Sequence, residues 1–416
     1  MTYTNSRNKA LNVLLIILLF TSVDTLWFGT NSQRAMLFVP RIIGVLCIFA
    51  FPIIKSGTFS NWKINIKKIA ILIFFLLIIS ISSLVNHEYS MTYISRIITV
   101  SVGYIICRYF SERKFAQIFD CFMTIVSVSA LILEFFAYTM PSLLSHSFHV
   151  TNSANKLYYS FFVSSIYVEN NIGNPFIRAS GIFWEPGAFA IFLIFALVMQ
   201  LFIFEKTNNK KAILYVITIV FTFSTTGYVA LVFLIMTFVL SPRNTHFSRR
   251  LKGLFVLMLL ALLGFMIYME DTTLYNNVFG KLTNGTSSAT TRYSSLFNGL
   301  NVAFDHPFLG VASQSQDYMS IYVNSSENLY TNGGLIIANT IVAYMVSYGL
   351  LFGIVFSLGI IRYFKKYSRN NLEWIMLSVT IFLAFSGERF FSFFPFVFVF
   401  TGLARGRSCF DENSCD

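Results

Sequence analysis

The sequence predicts an all-α, polytopic membrane bundle of about twelve transmembrane helices with two long outward loops, and three observations predict it. Of 416 residues, 56% are hydrophobic and only 12% charged, where water-soluble chains keep about a quarter of their residues charged. The apolar residues fall in blocks long enough to cross a bilayer, and 70–84 holds no ionisable side chain at all. The gaps between blocks alternate between strongly and weakly basic along the chain. A soluble fold is excluded by that combination.

Taken in order, hydropathy places spans near 10–28, 35–54, 69–85, 92–107, 116–139, 183–204, 212–224, 227–240, 253–269, 334–361, 374–386 and 391–403. The first block follows Arg7 and Lys9 as a signal peptide would, but it is long and lacks a small-residue cleavage site, so it is expected to be a retained helix. With the N- and C-termini cytoplasmic, the segments 1–9, 55–68, 108–115, 205–211, 241–252, 362–373 and 404–416 all face inward. They hold 22 of the 30 Lys and Arg residues, as the positive-inside rule requires. The same rule splits 212–240 at Ser224-Thr225-Thr226-Gly227 into a tight pair, because one long helix would turn Arg243, Arg249, Arg250 and Lys252 outward. It also makes 374–403 a hairpin with Gly387-Glu388-Arg389 at its tip, and Gly and Ser suit both sharp turns.

One integral membrane domain over 1–416 is expected: five helices in 1–139, a long outward loop at 140–182, central helices in 183–269, a second long loop at 270–333, and C-terminal helices with a cytoplasmic tail in 334–416. The net charge of +12 is a topology signal and a match to anionic inner-leaflet lipid, with no nucleic-acid partner. None of the five cysteines lies in a long loop and no C-x-x-C spacing occurs, so neither a disulfide nor a metal site is expected, and no cofactor.

The first long loop is rich in Ser, Asn, Tyr and Phe, a surface suited to hydrogen bonding and ring stacking with sugars through residues such as Tyr158 and Tyr159. The second is expected to contain an amphipathic helix that lies along the membrane surface as a lid. Tyr293, Leu296, Phe297, Leu300 and Phe304 share its face, Thr290 or Thr291 caps it and His306-Pro307 ends it.

Eight basic residues disobey the inside rule: Arg34, Arg41, Arg96, Lys156, Arg178, Lys281, Arg292 and Arg389. Six are arginine, whose planar fork grips phosphate oxygens in pairs. Arg41 sits inside the second span after Pro40, where it needs an anionic partner. Arg178 precedes a helix N-terminus and Arg292 occupies the first turn of the loop helix, positions where the dipole favours an anion and opposes an added cation. Arg389 stands at a hairpin tip beside Glu388. Among the acids, Glu185 lies between Trp184 and Pro186 and is the best placed to act as a general base, although a helix-start carboxylate would read the same. His306 is a second candidate for acid–base work near neutral pH, although Asp-His-Pro at a helix end also reads as a capping turn.

Four segments together resemble the O-antigen polymerase and ligase superfamily of bacterial inner membranes. Arg178-Ala-Ser-Gly-Ile-Phe-Trp-Glu-Pro186 is similar to an R-x-S-G-x-F-x-x-P helix opening, and Ser224-Thr-Thr-Gly-Tyr-Val-Ala230 to an S-R-x-G hairpin with Thr226 displacing the usual arginine. Arg292 followed by Asp305-His-Pro-Phe-Leu-Gly310 resembles the loop pattern, and Ala338-Asn-Thr340 with Tyr348-Gly-Leu350 the helix after it. The resemblance covers about 170–360 and implies a GT-C-like glycosyltransferase with a periplasmic site, joining oligosaccharide repeats carried on undecaprenyl pyrophosphate. On that reading, with no aspartate pair at metal-ligand spacing, Arg178, Arg292 and Arg389, with Arg41 as a deeper contact, are expected to hold the donor and acceptor pyrophosphates, and Glu185 or His306 to activate the acceptor. The implied partners are the lipid-linked oligosaccharide, membrane lipid and a chain-length regulator protein. Ala338 stands where ligases carry histidine, which favours polymerase over ligase. A lipid-linked sugar flippase or secondary transporter is the alternative from another class, against which stand charges gathered at one face and halves that do not match.

Overall fold

The computed structural model describes residues 2–22, 24–28, 38–56, 65–87, 91–152, 156–161, 163–171, 174–242, 253, 257, 287–311, 339–388 and 391–404. The helices are α1 (Thr2–Phe20), α2 (Val39–Ser56), α3 (Ile66–Val85), α4 (Met91–Tyr109), α5 (Glu112–Thr139), α6 (Pro186–Val198, continued by a π turn over Met199–Ile203), α7 (Asn209–Phe221), α8 (Thr225–Leu240), α9 (Ser287–Asp305), α10 (Thr340–Tyr348), α11 (Leu350–Tyr367), α12 (Asn371–Phe385) and α13 (Phe393–Leu403). Among the described residues α3, α5 and Pro186–Ile203 are long and apolar enough to cross a bilayer, with several shorter apolar helices beside them. The expected span at 253–269 lies almost wholly outside the described residues. The first helix stops at Phe20 rather than running to 28, which leaves Asp24 in the turn that follows.

One expectation needs correction. The chain is mostly helical but not all-α, because part of 140–182 folds into a sheet of β1 (Phe148–Thr151), β2 (Leu157–Ser160), β3 (Ser165–Asn171) and β4 (Asn174–Gly181), antiparallel in the order β1-β2-β3-β4. The strands are short and alternating, and their ladder pairs backbone groups that a loose loop would leave to water. Ile166 and Ile177 from one face of the sheet pack with Leu133 and Ala137 of α5. On the other face Val150 and Tyr158 pack with Leu26, and Trp27 and Tyr167 lie against them.

The chain divides into two compact units, 1–185 with 355–366 and 390–416, and 186–354 with 367–389. In the first unit α13 is the core helix, and Phe393 through Phe400 are all buried. Phe394 stacks on Phe119 of α5 at 4.4 Å, Phe396 meets Phe75 of α3 edge-on at 5.5 Å, and Gly103 of α4 has no room for a Cβ, which would fall 2.7 Å from that of Phe396. In the second unit α6 is apolar all round and buried almost throughout, as a central helix should be. Gly227 at the start of α8 lets that helix approach it, since a Cβ there would sit 2.7 Å from Ala190 Cβ. The outward sides of α2 and α3 carry exposed Leu46, Phe49, Ile53, Ile73, Leu77 and Ile81, an apolar surface suited to lipid.

Candidate functional site

The 178–186 segment is built into the first unit by a short strap. Leu26 N donates to Ile182 O at 2.8 Å, Thr25 bridges Phe183, and Trp184 N donates to Asp24 O at 3.3 Å. Arg178 lies on β4 opposite Tyr167, which lies opposite Tyr158 on β2. It therefore belongs to the sheet face turned away from α5. Glu185 closes the segment just before Pro186 opens α6, and its Oε1 accepts from Lys156 Nζ at 3.1 Å. The pair is uneven in exposure, 39% for the lysine side chain and 15% for the glutamate. Lys156 Nζ also lies 5.6 Å from the centre of the Tyr167 ring. Asn152 sets the geometry: its Oδ1 accepts from Lys156 N at 3.0 Å and its Nδ2 donates to the Trp184 carbonyl at 3.3 Å.

Arg178, Tyr167, Lys156 and Glu185 are thus gathered by β3, β4 and the turn before β2. Lys156 is the residue that the site list above misses. It lies 29 residues from Glu185, and only the sheet brings the two together. Tyr158, expected to stack on sugars, is fully buried, and Tyr159 turns to the α5 side with His149, ring centres 5.0 Å apart.

Arg41 lies elsewhere in the same unit, in the first turn of α2. It lines a cavity of about 30 Å³ with Thr21, Ser22, Ser95, Thr99 and Phe393. Asp24, close to that wall, is 2% exposed and receives hydrogen bonds from the Ser22 and Ser392 hydroxyls. Burial, only partly offset by those bonds, raises its carboxyl to about 6.

In the second unit the expected lid helix is docked. Leu296 and Leu300 of α9 join Val302 and Ala303 against Val342, Ala343 and Val346 of α10, while Phe297 and Phe304 stay exposed. The face expected to be single is divided in two. The helix begins at Ser287, so Thr290 and Thr291 lie within it rather than capping it, and Arg292 falls in its second turn rather than its first. The helix ends at Asp305, as expected.

His306 is exposed and its backbone serves the turn: its N–H donates to Val302 O at 2.9 Å and its carbonyl accepts from Gly310 N at 3.1 Å. That turn interlocks with the break between α10 and α11. Val311 N donates to Val346 O and Leu350 N to Pro307 O, both at 2.8 Å. Gly310 and Gly349 have positive φ, 62° and 91°, and a Cβ on either would strike the opposing backbone.

Ser224 and Asn339 are helix caps, the first accepting from Gly227 N and the second from Ile341 N and Val342 N. Gly387 packs on Thr226, and a Cβ on Gly187 would lie 2.5 Å from Glu388 Oε1, which sets that carboxylate against the first turn of α6. The Glu388 carbonyl accepts from Thr340 Oγ1 at 2.5 Å. Arg389 lies outside the described residues.

Comparison with known proteins adds one finding. The sequence model of a family described as O-antigen ligase matches residues 212–357, which supports membership of the O-antigen polymerase and ligase superfamily. That stretch holds the Ser224 and Asn339 caps, Arg292, and the Gly310 and Gly349 interlock. No curated protein and no solved structure matches the chain.

Proposed function

With membership of the O-antigen polymerase and ligase superfamily as the premise, we propose that this protein is a polymerase. In this reading it transfers a growing glycan from undecaprenyl pyrophosphate to the sugar of a second lipid-linked repeat, at the periplasmic face of the bacterial inner membrane. The observation that carries the reading is the sheet face: an arginine, a tyrosine ring and a lysine–glutamate pair presented by an apolar helical protein. Ala338 in place of the ligase histidine favours polymer growth over transfer to lipid A-core.

The reaction forms one glycosidic bond. The acceptor hydroxyl oxygen attacks the anomeric carbon, the bond from that carbon to pyrophosphate oxygen breaks with its electrons leaving on the pyrophosphate, and the hydroxyl proton passes to a base. Arg178, Arg292 and Arg389 hold the pyrophosphates, since a guanidinium fork matches the charge that grows on the leaving oxygens. Glu185, aimed by Lys156 and Asn152, takes the acceptor proton or orients its hydroxyl. His306 is the other candidate base. The two separate cleanly: Glu185→Gln abolishes elongation and His306→Ala spares it if Glu185 is the base.

The decisive assay supplies purified protein with lipid-linked repeat alone. Elongation without nucleotide sugar or added metal is expected. Arg178→Lys and Arg292→Lys keep the charge and lose the fork, so polymer length should collapse; full-length ladders from both would sink the assignment. In a deletion strain, core plus a single repeat is expected in lipopolysaccharide. Bare core with polymer left on the carrier would indicate a ligase, and bare core with repeats trapped inside a flippase.

A further inference from the structure

The sheet runs down the side of α5. In the last turn of that helix Tyr138 Oη donates to Ile177 O at 3.4 Å. Lower down, Leu133 and Ala137 pack on Ile166 and Ile177, and lower still Ser129 Oγ donates to Val163 O at 3.4 Å. The turn between β2 and β3 therefore reaches the level of Ser129. α5 is one of the helices long and apolar enough to cross a bilayer. It opens with Glu112, Arg113 and Lys114, which hold that end in one headgroup layer, and about twenty residues of helix fill the hydrocarbon beyond it. The far boundary then falls near Phe135, and exposed Ile125, Val128, Ile132 and Phe135 mark the lipid-facing side of the stretch. Ser129 lies about 9 Å inside that boundary, six residues from Phe135.

The hairpin has the chemistry that this depth requires. Val163 is 41% exposed, and Phe161 packs against the Leu133 cluster. Phe148, which pairs with Ser160 at the same end of the sheet, is also exposed. The opposite end carries Asn152, Lys156, Asn170, Asn171 and Asn174. Hydrocarbon offers no water to the backbone, so non-helical chain at that depth must satisfy its polar groups within the protein. Phe161 N donates to Ser164 O at 2.8 Å and Val163 N to Phe161 O at 2.7 Å, while the Val163 carbonyl takes the Ser129 hydroxyl. On the neighbouring strands Ser165 Oγ donates to Gly181 O at 2.6 Å and Ser180 Oγ to Ser165 O at 2.8 Å, and both serines are buried. Serine hydroxyls stand where a surface hairpin would use water.

We propose that the β2–β3 hairpin dips into the lipid leaflet at the C-terminal end of α5, with Val163 against the acyl chains. Lipid is the occupant because the exposed side of the hairpin continues the exposed apolar side of α5: Val163 touches Ser129, and Val128 beside it is itself exposed. The other end of the same strands carries Lys156, so the dipped hairpin sets the height at which the Lys156–Glu185 pair stands above the bilayer. This lipid contact holds whether or not the protein is a transferase.

The test is spin-label accessibility in the full chain, reconstituted in phosphatidylcholine vesicles. In a cysteine-free background a nitroxide is placed at Val163→Cys, at Val128→Cys on the lipid-facing side of α5, or at Ser142→Cys, which is exposed beyond the end of that helix. Power saturation then compares collision with oxygen, which concentrates in hydrocarbon, and with a water-soluble nickel chelate. The label at Val163 should match the one at Val128, with nickel access several-fold below that at Ser142 and oxygen access several-fold above it. Nickel access at Val163 equal to that at Ser142 overturns the proposal. So does a label shielded from both reagents, which would mean that a second copy of the chain covers the hairpin. Should the Val163→Cys variant misfold, the unmodified chain decides: a phosphatidylcholine with a diazirine in its acyl chain should mark Val163 on illumination, and marks confined to the helices overturn the proposal.

Discussion

Asp24 couples the strap to pH. Its folded-state carboxyl titrates near 6 against an ordinary 3.8, so between those values the folded chain keeps a proton that the unfolded chain has released. Stability therefore falls as pH rises from about 4 to about 6 and levels off above, a loss on the order of 3 kcal/mol. Asp24→Asn should abolish that slope, and melting of the detergent-solubilised protein across this range measures it; parallel curves for the two proteins would refute it. Lys156–Glu185 makes a smaller contribution. As a half-exposed pair it is expected to couple by about 1 kcal/mol or less in a double-mutant cycle of Lys156→Met and Glu185→Gln. Loss of Lys156 should instead show in elongation rate, because the glutamate loses the group that aims it.

At the scale of elements, the interlock of the His306–Gly310 turn with Gly349 sets how α9 docks on α10. Gly310→Ala and Gly349→Ala combine a strained positive φ with a clash against backbone that has no rotamer to yield, so each should cost several kcal/mol and sharply lower folded yield. Gly253→Ala, where an added Cβ meets nothing within 4 Å, should be silent. Size-exclusion profiles of the three variants make the comparison. Sequence alone exposes the α7–α8 break, because Ser224 and Gly227 are turn residues and four cations beyond α8 demand a particular side. The break at Gly349 is hidden, since the residues around it are apolar and only its φ and the opposing Phe308 backbone mark it. The sheet is hidden too: strands of four to eight residues give too short an alternation to stand out in a polar loop. With the sheet goes Lys156, whose approach to Glu185 depends on it, whereas Arg178 and Glu185 are legible from their place at a helix opening.

For the molecule as a whole, orientation across the bilayer is the expectation with the widest reach. In spheroplasts of a strain carrying a cysteine-free background, Ser142→Cys should label with a membrane-impermeant maleimide and Lys210→Cys should not; both positions are exposed, and the reverse pattern would invert the topology. Discontinuity of the first unit has a separate consequence, in the timing of biogenesis. Its earliest residues cannot finish folding when they leave the ribosome. The strap at 24–26 waits for 182–184, and Asp24 and Phe119 wait for Ser392 and Phe394, which are made much later. A chain cut short before α13 would leave Phe75, Gly103 and Phe119 facing an empty slot, so this late helix completes the packing of the early ones.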